Sequence, residues 1–132
     1  RAGLVDNDGL TVEGFIRSFA YDPPHPAALD YLERVMLTCP ADVGAGMLED
    51  LHLVGQDMPR LIKEADRKPF MAIWAEKPLG DPAWLRDRTM FLRQEPVAGT
   101  GHFVQMEQPE VTNSLLRAFL DDASRDPRVS LR

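Results

Sequence analysis

Seven consecutive residues, Pro69-Phe70-Met71-Ala72-Ile73-Trp74-Ala75, carry no charge and sit between Arg67-Lys68 and Glu76-Lys77. The run is short for a buried helix, and it does not alternate as a strand with one wet face would. Its pattern is that of a strand covered on both faces, as in a parallel sheet. Parallel neighbours are joined by a crossover, usually a helix, so the partner strand is expected downstream. Asp81-Pro82 provides the helix start, an N-cap followed by a proline whose missing N–H costs nothing in the first turn. That helix is expected to run to about Met90, with a second, weaker strand over Arg93 to Val97. The chain is therefore expected to be α/β, with a βαβ unit spanning 69–122 that crosses right-handed.

Upstream the character is different. Thr11 to Ala20 reads as a helix with Thr11 as N-cap and Val12, Phe15, Ile16 and Phe19 on one side. Pro23, Pro24 and Pro26 then break it. A helix follows from about Pro26 to Thr38, with Leu29, Leu32, Val35 and Met36 inward. Pro40 opens another to about Asp50, on which Val43, Met47 and Leu51 recur at intervals of four. Asp57 to Glu64 gives one more, with Leu61 and Ile62 inward. Residues 1–10 are turn-rich, and the tail after Asp122 has no periodicity and is expected to be mobile. The expected division is a helical portion over 1–66, an α/β portion over 67–122 and a tail over 123–132.

Composition excludes several classes of function. The 132 residues are 44% hydrophobic and 27% charged, a globular balance, and the net charge of −6 argues against a nucleic-acid partner. No apolar run reaches the roughly 18 residues of a membrane span. A lone cysteine, Cys39, allows no internal disulfide, and a cytoplasmic location is the default. The start at Arg1, without Met, reads as an excision from a longer chain. Neither His25, among prolines at a helix start, nor His52, near a helix end, has a ligand-like spacing, so no metal and no other cofactor are expected.

The chemistry is expected at Gly99-Thr100-Gly101-His102-Phe103. Glycines on either side of Thr100 permit backbone conformations closed to other residues and clear space around the imidazole. A helix then opens at Pro109, with Val111, Leu115, Ala118 and Phe119 on one face and Leu116 and Leu120 beside them. Gly-Thr-Gly-His-Phe, followed by Glu107-Gln108-Pro109 and a helix ending in Phe119-Leu120, resembles the C-terminal end of the α/β-hydrolase fold, where the loop after the last strand bears the catalytic histidine. Asp57-Met58-Pro59-Arg60-Leu61-Ile62 ahead of a Pro-led strand is similar to the haloperoxidase-like and esterase-like branches. The resemblance covers roughly residues 15–122 and implies a helical cap segment followed by strand–helix–strand–helix of a parallel sheet.

By that resemblance His102 is the general base of a nucleophile–His–acid triad. The family's acid follows the penultimate strand in a Gly-x-x-Asp pattern. Trp74-Ala75-Glu76-Lys77-Pro78 puts Ala75 at the glycine and Pro78 at the acid. Asp81, three residues on, is the candidate substitute, although an N-cap is its ordinary role; Glu76 would have to reach from the strand end. Phe103 and Trp74 are candidate pocket residues, and Phe15, Phe19, Met36 and Met47 are either cap lining or helix packing. None of Ser18, Ser114, Ser124 and Ser130 sits in a Gly-x-Ser-x-Gly elbow. In family order the nucleophile precedes the cap, so this chain alone is not expected to run a triad.

The resemblance implies a serine-type hydrolase of small esters, amides or related acyl substrates. The departure at Pro78 and the missing elbow leave a second reading, a non-catalytic interaction or assembly module of the same fold. Two strands alone would leave a strand edge and apolar surface open. The chain is thus expected to be ordered beside an N-terminal half of the same fold or by self-association.

Overall fold

The computed structural model describes residues 10–21 and 24–127. The expected turns over 1–9, the prolines' neighbours Asp22 and Pro23, and the end of the tail lie outside the described residues, as do the side chains of Thr11, Val12, Phe15 and His52. In chain order the elements are α1 (Leu10–Phe19), α2 (Pro26–Met36), α3 (Ala41–Ala65), β1 (Phe70–Ala75), α4 (Pro82–Arg86), β2 (Leu92–Val97), α5 (Val104–Glu107) and α6 (Pro109–Ser124). The chain divides into two compact units at Met58/Pro59.

In the first unit, α1 and α2 are amphipathic helices, and their apolar sides supply the core. Ile16 is fully buried, and Ala28, Leu29 and Leu32 are nearly so. Pro26 occupies the first turn of α2, which its fixed φ suits, and the His25 carbonyl accepts the Leu29 N–H at 3.0 Å. An Arg17–Glu33 ion pair at 2.7 Å links the two helices. Val35, expected inward, is exposed.

The two short helices expected over 40–50 and 57–64 are one continuous helix, α3, with Pro59 inside it. Proline there removes the hydrogen bond to the Gly55 carbonyl and crowds it, a cost of about 3 kcal/mol in a helix interior. Strong helix formers on both sides (Met47, Leu48 and Glu49 before it; Arg60, Leu61, Lys63, Glu64 and Ala65 after it) carry the helix across. The Val43, Met47 and Leu51 stripe is exposed.

The second unit contains the parallel pair. β1 and β2 lie side by side in parallel from Phe70 opposite Leu92 to Ala75 opposite Val97. Along β1 only Ala75 is fully buried, the rest half-buried, so the covering expected on both faces is incomplete among the described residues. The crossover helix is shorter than expected, ending at Arg86 instead of Met90. Its last carbonyls are taken by side chains, Thr89 Oγ1 donating to the Leu85 carbonyl at 2.8 Å and Arg88 to that of Trp84 at 3.1 Å. The chain then enters β2 under Asp66, whose two carboxylate oxygens accept the N–H groups of Met90 and Phe91 at 2.7 and 3.0 Å.

Ala75, Val97 and Val104 form a small core at the C-terminal ends of the strands, with Ile73 and Leu115 packed against it. On β2, Arg93 bonds Glu95 at 2.6 Å and Asp122 of α6 at 3.1 Å. Those carboxylates, Glu95 first through its hydrogen bond, raise the guanidinium pKa above its ordinary value. α6 extends to Ser124, two residues into the expected tail.

Candidate functional site

Because β1 and β2 are parallel, the loops that follow Ala75 and Val97 leave the same end of the sheet. Open α/β sheets gather ligands at this end, outside the carboxyl termini of the strands. Topology thus places Glu76 and Asp81 on one loop and His102 on the other.

The His102 loop is built by its backbone. Gly99 has φ of +70°, the left-handed region where a Cβ is penalised, so glycine serves the turn directly. Thr100, 1% exposed, donates its hydroxyl to the Val97 carbonyl at 2.6 Å. The Thr100 carbonyl in turn accepts the Glu76 N–H at 3.1 Å, carrying the strand pairing past the strand ends. Two carboxylates receive the loop's amides. Glu76 Oε2 accepts the Gly99 N–H at 2.8 Å, and Glu107 Oε2 accepts the Gly101 N–H at 2.5 Å.

Glu107 is buried, with 6% of its surface exposed. It ends the single turn of α5, whose first carbonyl partners are at Phe103: the N–H groups of Met106 and Glu107 both donate to the Phe103 carbonyl. Thr112 of α6 completes the junction, its hydroxyl 2.9 Å from the Gln108 carbonyl and 3.3 Å from that of Val104.

From Thr100 to Val104, His102 is the exposed residue; Thr100, Gly101 and Val104 are buried and Phe103 is half-buried. The imidazole meets the Phe103 ring edge to face, centroids 5.3 Å apart at 71°. A histidine carried outward on a fixed backbone is available for proton transfer to a group within hydrogen-bond reach.

The other candidates are occupied as follows. Asp81 caps α4, one carboxylate oxygen, Oδ1, accepting the N–H groups of Ala83 and Trp84 at 2.9 and 3.0 Å. Trp74 donates its indole N–H to Gln94, whose amide donates onward to the Pro82 carbonyl at 3.1 Å. Gly80 lies against the same indole, closely enough that a Cβ there would come within 3.1 Å of Trp74 Cζ3. His25 makes no capping bond with its side chain; its ring packs at a tilt against Tyr21.

Among the described residues no group of three or more His, Cys, Asp or Glu is arranged to hold a metal ion, and no helix is long and apolar enough to cross a membrane. Sequence reasoning assigned no role to Glu107 or to Asp66. Compared with protein families, with characterised proteins and with solved structures, the chain matches none.

Proposed function

We propose that this chain supplies the histidine of a serine-type α/β hydrolase acting on small esters, amides or related acyl substrates. The nucleophile and the oxyanion hole would lie outside these 132 residues, in an N-terminal half of the same fold. The observation that carries the reading is an exposed His102 on a backbone-pinned loop directly after the second of two parallel strands. His102 would take the proton of the attacking hydroxyl and return it to the leaving group. Asp81 is the candidate acid: its cap bonds use Oδ1, which leaves Oδ2 for the imidazole. The half-open faces of β1 favour a neighbouring part of the fold as the immediate partner.

The test is hydrolysis of a chromogenic short-chain ester by the whole polypeptide that carries this segment, with fluorophosphonate labelling of its nucleophile. His102→Ala is expected to lower kcat by roughly 1,000- to 10,000-fold and to slow fluorophosphonate labelling with it, because the label reacts only with an activated nucleophile. Equal rates for wild type and variant would remove His102 from the mechanism. The second reading, a non-catalytic interaction or assembly module, is favoured by Pro78 at the family's acid position and by the capping duty of Asp81. A polypeptide that neither hydrolyses the ester nor takes the label would select it.

A further inference from the structure

We propose that Glu107 is the positioning residue of the His102 loop, its buried carboxylate holding the Gly101 amide and thereby setting the backbone from which the imidazole projects. The kinetic consequence rests on the reading of His102 as a general base; the hold on the loop does not.

Three observations converge on this residue. Glu107 is a carboxylate in a place where carboxylates are rarely found, buried to 6% exposure. Burial of such a group is tolerated when hydrogen bonds satisfy it, and its Oε2 lies 2.5 Å from the Gly101 nitrogen, the residue just before the histidine. The contact is suited to fixing a segment that contains two glycines. Glu107 also stands two residues before Pro109, next to the N-terminal end of the 16-residue α6.

The geometry also separates this role from general packing. Glu76 receives Gly99, and Glu107 receives Gly101, so the two carboxylates hold alternate amides of the loop. Between them Thr100 is locked to the Val97 and Glu76 backbone groups. His102 follows immediately, exposed, with its backbone already determined on the N-terminal side by Glu107 and on the C-terminal side by the start of α5. In this scheme Glu107 acts through the peptide before the base, and a shift of that peptide moves the imidazole.

The experiment compares Glu107→Gln, Glu107→Asp and Glu107→Ala in the 15N-labelled polypeptide. Glutamine keeps an acceptor of the same reach; aspartate keeps the charge but falls one methylene short. Hydrogen exchange of the Gly101 amide is expected to quicken at least tenfold in the Asp and Ala variants and to stay within about threefold in the Gln variant, with α6 amides protected as in wild type. His102 ring resonances are expected to broaden or shift in the same two variants. Where the ester assay works, those two are expected to lose about tenfold in kcat with KM within twofold, and Gln to restore it.

Unchanged Gly101 exchange in the Asp variant would overturn the proposal. So would a uniform loss of protection across α5 and α6, which would make Glu107 a general support of the fold; should the Ala variant fail to fold, the Asp and Gln variants decide. A wild type without esterase activity would reject the hydrolase reading while leaving the exchange data to decide this one.

Discussion

Among the described residues, those buried before Pro59 are Ile16, Ala28, Leu29, Leu32 and Ala45, all aliphatic; those after it include Thr100, Gly101, Glu107 and Thr112. The first unit is held by apolar side chains meeting one another, with the Arg17–Glu33 ion pair between α1 and α2. The second has an apolar core of its own around Ala75, Val97 and Val104, and adds to it side chains that grip backbone: Asp66 on Met90 and Phe91, Asp81 on Ala83 and Trp84, Glu76 on Gly99, Glu107 on Gly101. The difference reflects what each must do. Helices satisfy their own amides and need only a dry face. Loops at strand ends have amides with no regular partner, and a buried one left unpaired is costly, so acids are recruited to them.

That contrast can be broken. Both tyrosines, Tyr21 and Tyr31, lie in the first unit and both tryptophans, Trp74 and Trp84, in the second, so each unit has its own optical and NMR signals. The largest effect is expected from Ile16→Ala, which empties a fully buried aliphatic position of the helical unit. It should cost about 2–5 kcal/mol in denaturant unfolding followed at the tyrosine ring resonances. Little change is expected in tryptophan emission; an equal shift in both signals would show the units melting as one.

Next comes Asp66→Ala, which strands two amides at the start of β2 and is expected to cost about 2 kcal/mol in tryptophan-detected unfolding, since hydrogen bonds to charged groups run to 1.5–3. A loss below about 0.5 kcal/mol would mean that the backbone grip is ornamental. The smallest is Arg17→Ala: Arg17 is half exposed while Glu33 is 17% exposed, so roughly 1 kcal/mol should be lost, less in high salt. A larger, salt-sensitive loss would put electrostatics into the helical unit as well.

The same contrast explains what a reader of the sequence can see. The apolar run at 70–75, the Asp81-Pro82 cap and the helix after Pro109 are legible because each rests on neighbours within a turn or a strand. The fusion of two helices across Pro59 is not, because a local breaker was outweighed by helix formers on both sides. The Val43, Met47 and Leu51 spacing correctly signals a helix but not its covering, which depends on what packs there. Asp66 reaches amides 24 and 25 residues away, and Glu76 one 23 away; no local pattern records such a meeting. Glu107 is six residues from Gly101 and was within reach of inspection. Its signal is an acid sitting between a glycine turn and a proline-led helix, within the Glu107-Gln108-Pro109 stretch.

Amides, a threonine hydroxyl and two acids hold the backbone of residues 99–101 by bonds in which the imidazole takes no part. The position works as a socket: its contents can be exchanged while the mount stays intact. A lineage, or a protein engineer, is therefore free to vary the chemistry offered at 102 without first rebuilding the scaffold around it.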